Sequence, residues 1–351
     1  MLSFKLDELS VWEKLRNSEI PVVIYGTGNG ADKVIDAFEK KGITLSGVTA
    51  SSGFVRERSF RGFPVKPISF FEEKFENFII AVAFGSSRPE VINSIEELSR
   101  KRRVLVPVVP VIGTELFDRE YLEKNEKEIE EAYSLLADEE SRRVYRGYIN
   151  FLFGGELEEL FSITSPEAEA YEKILKIGKN ETMVDIGAYR GDTVEKFLHY
   201  CGGAYKEIIA AEPDKKTFSK LMANCAGLKG FRGENVAVTD IDGVVPFSFS
   251  AGRQSRIGGD EKIKSKTLSS LCNGASPDYI KIDSEGCELE ILGASPEILR
   301  EHRPKLNIAA YHKNEDVFRL PILIKSIQPE YRIHLRHHPY IPAWDTIFYC
   351  V

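Results

Sequence analysis

Two acidic residues follow apolar runs in the middle of the chain and flank a glycine-containing turn. Asp185 lies in TMVDIG, and Glu212 ends EIIAAE about 27 residues later. Ligands of open α/β sheets bind beyond the carboxyl ends of the strands, where both acids are expected. A carboxylate at Asp185 suits a cationic amino group, and Glu212 is placed to accept two ribose hydroxyls. Together they indicate S-adenosylmethionine, which has an α-amino acid end and a ribose.

The intervening turn, GAYRGD, leads into an amphipathic helix. Gly187 and Gly191 allow the backbone to approach a ligand, and the helix N-terminus presents free N–H groups to the methionyl carboxylate. Asp192 and Glu195 have the spacing of a capping box. The turn lacks the G-x-G-x-x-G of dinucleotide-binding proteins. Alternatively, Asp185 and Glu212 merely cap βα turns and bind no ligand.

Further reactive side chains follow three later strand-like runs. They are Asp283 in KIDSEG, Tyr311 and His312 in AAYHK, and Arg336, His337 and His338 in LRHH. Methyl transfer to a hydroxyl requires alignment of the acceptor and removal of its proton, which suits a histidine with a pKa of about 6.5. We predict His312 as the general base, with His337 as the second candidate.

The neighbouring residues receive supporting roles in this hypothesis. Asp283 orients the base or binds the substrate, Tyr311 contacts the substrate, and Arg336 holds an anionic group. The alternative for each histidine is a structural residue with its hydrogen bonds satisfied. We favour that alternative for four of the six histidines of the chain, which are His199, His302, His334 and His338.

The segment DSEGCELE carries carboxylates that a hard cation such as Mg²⁺ or Ca²⁺ would accept as ligands. Glu288 and Glu290 are expected on a helix that begins near Gly286, where they stabilise the first turn. We therefore predict no metal site. Residues 247–262 are rich in Gly, Ser and Arg, which indicates either a mobile loop that contacts the cofactor through Gln254 and Ser255 or a plain surface loop.

A second glycine-rich loop lies near the N-terminus, in VVIYGTGNGA. Gly26, Gly28 and Ala31 match G-x-G-x-x-A between a strand and a helix. The acid expected at the end of the next strand is missing, since Ala50 and Ser51 stand there. This weakens an NAD(P)-binding interpretation.

The order of elements predicts an α/β protein. Strand-like and helical runs alternate between 21 and 112, and charged helical sequence follows, with apolar faces that include Ile129, Val144 and Ile149. Seven strand-like runs, of which the third is ENVAV, extend from 181 to the end. A short Pro-rich segment joins the last two runs, so we expect them to be antiparallel. The predicted parts are a small Rossmann-like domain at 1–113, a helical connector at 114–165 and a larger α/β domain at 166–351.

Composition excludes several classes of protein. The 351 residues have a formal net charge of −7, which gives no general attraction to nucleic acid or anionic lipid. No apolar run approaches the ~18 residues of a membrane span, and the first residues do not resemble a secretory leader. The five cysteines form no CxxC pair, so we expect buried free thiols. We expect a cytoplasmic protein.

Four ordered motifs make the C-terminal part resemble the FkbM family of S-adenosylmethionine-dependent methyltransferases. They are DIGAYRGDTVEKF, AAEPDKKTFSKLMAN, YIKIDSEGCELEILGA and PKLNIAAYHKNEDVFRLP. The resemblance implies a class I methyltransferase sheet of seven strands with the last antiparallel. It places the cofactor at Asp185, Gly187, Ala188, Tyr189, Gly191, Asp192, Thr193, Glu212 and Asp283.

Two positions depart from the family pattern, because Tyr189 replaces a frequent Asn and Ser269 a frequent Asp. The N-terminal part, with RGFPV at 61–65, more loosely resembles the nucleotide-sugar-type Rossmann modules found beside sugar-modifying enzymes.

The sequence thus predicts an O-methyltransferase that uses S-adenosylmethionine and acts on a hydroxyl of a saccharide or related natural-product intermediate. The expected partner is a small-molecule or saccharide acceptor, without nucleic acid or membrane, and the chain is a candidate homodimer. The alternatives are an NAD(P)-dependent oxidoreductase or epimerase that uses the N-terminal glycine loop, and a non-catalytic scaffold that keeps the cofactor fold.

Overall fold

A computed structural model of the protein describes residues 2–51, 59–248, 256–257 and 261–351. The chain divides into two compact units, each assembled from separate segments. The first unit contains Met1–Glu130, Arg142–Ser165 and His337–Asp345, and the second contains Glu131–Ser141, Pro166–Arg336 and Thr346–Val351. The segment 114–165 therefore contributes to both. The loop residues Gln254 and Ser255 lie outside the described residues.

The first unit is built on a six-stranded sheet in the order β3-β4-β2-β1-β5-β6, in which only the β3–β4 pair is antiparallel. Helices alternate with the strands, as predicted. The elements are α1 (Val11–Arg16), β1 (Val22–Tyr25), α2 (Asn29–Lys41), β2 (Gly47–Thr49), β3 (Ser59–Phe60), β4 (Phe63–Lys66), α3 (Ile68–Lys74), β5 (Ile79–Val82), α4 (Pro89–Ser99) and β6 (Val104–Leu105).

Helix α2 shows how the sequence of this unit determines its structure. Its buried face includes Val34, Ile35 and Phe38 at helical spacing, and Gly42 ends it in the left-handed region with φ of 67°. Gly30 lies where a Cβ atom would come 2.7 Å from the carbonyl oxygen of Ala83. Only glycine therefore permits this close packing of the helix start against the end of β5.

Three helices follow the first sheet, α5 (Arg119–Ser134), α6 (Glu139–Gly154) and α7 (Leu157–Ser162). The residues predicted to form their apolar faces are mostly buried, including Ile129, Val144 and Ile149. A late segment of the chain also belongs to the first unit. Ile341 and Ser86 exchange backbone hydrogen bonds of 3.0 and 2.7 Å, which joins residues 337–345 to the loop after β5.

The second unit contains a seven-stranded sheet in the order β16-β17-β15-β14-β7-β8-β9. Strand β17 is antiparallel to β15, whereas β15, β14, β7, β8 and β9 are parallel. These findings confirm the predicted α/β class and the antiparallel last strand. The sheet strands are β7 (Glu181–Ile186), β8 (Tyr205–Ala211), β9 (Phe231–Glu234), β14 (Tyr279–Ile282), β15 (Lys305–Ala309), β16 (Ile333–His337) and β17 (Thr346–Cys350).

Helices and a small sheet complete the second unit. The helices are α8 (Glu167–Ala170) with a π-turn (Tyr171–Leu175), α9 (Asp192–Tyr200), α10 (Lys215–Asn224), α11 (Leu268–Cys272), α12 (Glu288–Ala294), α13 (Pro296–Glu301) and α14 (Asp316–Ile327). The small sheet has the order β10-β13-β11-β12 and contains β10 (Ala237–Val238), β11 (Gly243–Ser248), β12 (Arg256–Ile257) and β13 (Glu261–Lys266).

Two local predictions are wrong. The third strand of the large sheet is Phe231–Glu234 rather than ENVAV, because the polar stretch FRGE pairs with β8 while Ala237 and Val238 pair with β13. The N-cap of α9 is Gly191 rather than Asp192. With φ of 89°, Gly191 starts the helix one residue earlier, and Asp192 becomes its first residue.

An aromatic cluster in the core of the second unit packs against the large sheet at Tyr279, the first residue of β14. Phe197 of α9 is fully buried and stacks on Tyr279, and Tyr171 stacks on Tyr200 at a centroid distance of 4.6 Å. The hydroxyl groups of Tyr171 and Tyr279 lie 3.2 Å apart. This aromatic cluster fixes helix α9, and with it the glycine turn that precedes the helix.

Two further findings concern the whole described chain. None of its helices has both the length and the apolar character that crossing a bilayer demands. All five cysteines are free; four are buried, and Cys287 is partly buried.

Phe197→Ala is expected to lower the free energy of unfolding of the second unit by about 3–5 kcal/mol, because it leaves a cavity between α9 and the sheet. Met222→Ala on α10 is the control, since Met222 is 39% exposed and surface changes cost about 0.5 kcal/mol or less. Denaturant unfolding followed by tyrosine fluorescence and circular dichroism measures both. Equal losses in the two variants would contradict the assigned core.

Candidate functional site

A row of polar residues crosses the apolar centre of the large sheet. In the parallel register Asp185 of β7 lies beside Lys281 of β14, which lies beside Asn307 of β15. Side chains directly opposite each other on neighbouring strands share one face of the sheet. All three are buried, and Lys281 Nζ lies 3.5 Å from Asp185 Oδ1.

Lys281 was not identified from the sequence. Its ammonium donates to the carbonyl oxygen of Gly187 at 2.8 Å and lies 3.7 Å from Asp283 Oδ2. Burial disfavours the ammonium, but Asp185 and Asp283 outweigh that effect and raise the pKa of Lys281. The available signal was a single lysine within the otherwise apolar strand YIKI.

Asp185 lies beneath the glycine turn with no exposed surface. Burial raises its pKa to about 6, although Lys281 opposes the shift. Neither carboxylate oxygen has a hydrogen-bond partner among the described residues. Buried polar atoms are normally satisfied, so this carboxylate is suited to a donor that comes from a ligand or an ordered water.

The glycine turn after β7 packs tightly against the turn after β14. Gly187 has φ of 73°, and a Cβ atom there would lie 1.9 Å from the carbonyl oxygen of Asp283. Its N–H and that of Ala188 both donate to Ala211 O at 3.0 Å. Only glycine fits this position, so the three strand ends that surround the turn are held together by backbone contacts.

Glu212 follows β8 and holds the same turn from the other side. Its Oε2 accepts a hydrogen bond from Tyr189 N and its Oε1 from Asp214 N, both at 2.9 Å. Burial raises the pKa of Glu212 to about 7, while the two backbone donors oppose the shift. Tyr189 itself adopts φ of 47°, and the guanidinium of Arg190 lies over its ring.

The residues at the start of α9 complete the turn. Asp192 is exposed, whereas Thr193 is buried and donates its backbone N–H to Asp192 Oδ1 at 3.2 Å. Gly191 N donates to Ala188 O at 2.8 Å. The structure therefore brings the whole predicted cofactor-binding set to the ends of β7, β8 and β14.

Carboxylates surround His312, which follows β15 and is 1% exposed. Its Nδ1 lies 3.0 Å from Glu288 Oε1, and its Nε2 lies 3.4 Å from Asp283 Oδ1 and 3.6 Å from Glu285 Oε2. Burial disfavours the charged ring, but these carboxylates prevail and raise the pKa of His312 to about 10. The imidazole is therefore protonated at neutral pH.

This charge state does not fit the predicted role of His312 as general base. An imidazolium has no lone pair with which to accept the proton of a hydroxyl. Sequence spacing placed the histidine at the correct strand end, but it did not show that Glu285 and Glu288 turn toward the ring.

Asp283 is the accessible member of this group, with 36% of its side chain exposed. Its Oδ1 accepts a hydrogen bond from the Tyr311 hydroxyl at 3.3 Å, and the Tyr311 ring contacts His312. Asp283 thus lies between the cationic Lys281 and His312, as expected for a residue that orients other groups.

The remaining predicted residues have other contacts. Arg336 donates to Ser141 Oγ at 2.9 Å and to Asp138 Oδ2 at 3.3 Å, so its charge is already paired within the second unit. His337 belongs to the first unit and is fully buried, and burial lowers its pKa to about 3. Neither residue fits its predicted role. The charge of Arg336 is already paired, and His337 has no exposed surface that could contact a substrate.

Three other sequence features have simple structural accounts. His338 Nδ1 lies 3.0 Å from Ser165 O, which agrees with a structural role. Ser269, where the family often has Asp, makes a hydrogen bond to Glu297. At the N-terminal glycine loop, Gly28 is the N-cap of α2, and Tyr25 and Ser51 share a 2.7 Å hydrogen bond at the ends of β1 and β2.

Comparison with known proteins finds a family model that matches part of the chain. The family model described as the methyltransferase FkbM domain matches residues 185–341. The solved methyltransferase FkbM from Methylobacillus flagellatus KT is similar over 96% of this chain and 91% of that chain, with a TM-score of 0.75 and 20% identity. This structure shares the fold of the chain.

Two further solved structures each match about half of this chain. Fibrillarin from Aeropyrum pernix, in complex with natively bound S-adenosyl-L-methionine, covers 50% of this chain and 69% of that chain, at a TM-score of 0.33 and 10% identity. Precorrin-6y C5,15-methyltransferase from Geobacter metallireducens GS-15 covers 53% and 90%, at a TM-score of 0.35 and 12% identity. No curated protein matches the sequence.

These findings confirm the FkbM resemblance for the C-terminal part of the chain. The likeness of the N-terminal unit to nucleotide-sugar-type modules stays a prediction. Residues 185–341 are an FkbM methyltransferase domain.

Proposed function

We propose that the protein is an S-adenosylmethionine-dependent O-methyltransferase that acts on a hydroxyl of a saccharide or related natural-product intermediate in the cytoplasm. The observation that carries the proposal is the convergence of Asp185, Gly187 and Glu212 at neighbouring strand ends within a methyltransferase domain. S-adenosylmethionine supplies an electrophilic methyl group when bound.

The residues present fit this cofactor. Glu212 offers a carboxylate that two backbone N–H groups hold in place, as a ribose site requires. The buried oxygens of Asp185 lack donors among the described residues, which suits the α-amino end of the ligand. Gly187 leaves the turn without a side chain where the backbone must come close.

The acceptor hydroxyl is proposed to bind at Asp283. This carboxylate is partly exposed, and Tyr311, His312 and Lys281 hold it from three directions. Such fixed groups position a substrate in advance, which lowers the entropic cost of an in-line displacement. In this arrangement protonated His312 orients Asp283 and takes no proton itself.

Calorimetric titration of the purified full chain with S-adenosylmethionine, S-adenosylhomocysteine and NAD tests the cofactor. We expect micromolar binding of the first two and none of NAD. Binding of NAD alone would instead support an oxidoreductase that uses the Gly26–Ala31 loop. Failure of all three ligands to bind would contradict an S-adenosylmethionine enzyme and favour a scaffold.

Cofactor affinity is expected to decrease as the pH is lowered. The ribose needs the carboxylate form of Glu212, and the pKa of Glu212 is raised to about 7. The dissociation constant should be about tenfold larger at pH 6 than at pH 8. Glu212→Gln should bind more weakly and keep only the smaller dependence that Asp185 contributes near pH 6. The same slope in both proteins would contradict the assignment of Glu212.

Asp283→Asn is expected to retain S-adenosylmethionine binding within about tenfold and to lose most methyl transfer, because a neutral amide no longer orients the acceptor between the two cations. Release of S-adenosylhomocysteine with a panel of saccharides measures turnover. Glu290→Gln is the matched control, since Glu290 is a more exposed carboxylate that pairs with Lys313. Turnover at the wild-type rate in Asp283→Asn would show that Asp283 does not position the acceptor.

A further inference from the structure

A compact group of one histidine and two carboxylates lies beside the proposed acceptor position. One ligand-type atom from each of Asp283, Glu288 and His312 lies within 4.8 Å of the other two. Ligands on opposite sides of an ion bound at about 2.1–2.5 Å are about 4.2–5 Å apart. The three side chains are therefore already close enough to coordinate a single ion.

Glu288 provides an independent indication of a missing partner. Its side chain has no exposed surface, and Oε1 contacts His312 Nδ1 at 3.0 Å and Ser284 N at 2.8 Å. The other oxygen, Oε2, is buried with no hydrogen-bond partner among the described residues. An unsatisfied buried carboxylate oxygen is costly, and a cation removes that cost.

The charges around the ring leave an excess of negative charge. Asp283, Glu285 and Glu288 all face the imidazole of His312 within 3.6 Å. Lys313 pairs with Glu290 at 2.9 Å, whereas Lys281 lies between Asp185 at 3.5 Å and Asp283 Oδ2 at 3.7 Å. One lysine therefore offsets the three carboxylates only in part, and the group can accept a cation.

We propose that Asp283, Glu288 and His312 bind one divalent cation, with Glu285 as a further oxygen ligand. Carboxylate oxygens with one imidazole suit Mn²⁺ and Mg²⁺. The imidazole, which is protonated in the metal-free chain, gives up its proton when it coordinates the ion, because coordination uses the lone pair of the neutral ring. This differs from the sequence-based expectation of no metal, in which Glu288 stabilises an exposed helix turn. In the structure Glu288 turns inward instead.

The role of the ion rests on the proposed function, whereas its binding does not. Because Asp283 is partly exposed, the ion has open positions for water or an acceptor hydroxyl. A bound cation lowers the pKa of such a hydroxyl. Its proton passes to water, the oxygen forms a bond to the methyl carbon, and the bond from that carbon to sulfur breaks.

Binding of Mn²⁺ to the full chain, freed of metal with EDTA and then dialysed, tests the site. Electron paramagnetic resonance of unbound Mn²⁺ should show one ion per chain, displaced by excess Mg²⁺. Asp283→Asn and Glu288→Gln should each weaken binding about tenfold or more. Glu290→Gln on the same helix should bind as the wild-type chain does. Thermal unfolding checks each variant, and partly exposed Asp283 allows the test even if Glu288→Gln does not fold.

Absence of Mn²⁺ binding by the wild-type chain, or equal binding by wild type and Asp283→Asn, overturns the ion site. Titration with S-adenosylmethionine in EDTA separates this failure from that of the proposed function. If the cofactor binds and Mn²⁺ does not, only the proposed ion site is contradicted. If the chain binds Mn²⁺, Asp283→Asn weakens that binding and no cofactor binds, the ion site is supported and the methyltransferase proposal is contradicted.

Discussion

The ammonium of Lys281 lies in the middle of the large sheet, 3.5 Å from the Asp185 carboxylate and 2.8 Å from the carbonyl oxygen of Gly187. Removing either partner of a buried ion pair leaves an uncompensated charge, which costs about 3–5 kcal/mol. The ends of β7 and β14 are therefore fixed relative to each other. Because Gly187 also contacts Asp283 O, the position of the cofactor turn and that of the acceptor carboxylate are set together.

The same electrostatic order continues beyond the sheet. Lys281, Asp283, His312 and Glu288 alternate in sign, and each lies within 3.7 Å of the next. A charge surrounded in this way keeps its ionisation state, which explains why a histidine at a strand end is protonated and unsuited to base catalysis. The chemistry of the site depends on this sequence of charges more than on any one of its members.

Much of the fold was predictable because its strands are apolar and alternate with amphipathic helices. The runs around Val184, Ile209, Ile280 and Ile308 all lie in the large sheet. Strand β9 was misplaced because FRGE has a single apolar residue and owes its conformation to pairing with β8. The small sheet was also missed, since β10 and β12 are only two residues long and give no period that a sequence pattern could show.

The candidate site was predictable where a residue's role follows from its place at a strand end. Asp185, Gly187 and Glu212 belong to this class. Lys281 was not, because its importance arises from the register that sets it beside Asp185. The charge of His312 could not be predicted from the sequence for a similar reason, since it depends on carboxylates that follow β14.

The hydrogen bonds between Ser86 and Ile341 have a consequence for biosynthesis. A nascent chain emerges from the ribosome N-terminus first, and domains generally fold as units in that order. The first unit, however, includes residues 337–345. Its completed form must await translation of residues 337–345, so the first unit is finished only after most of the second unit has been made.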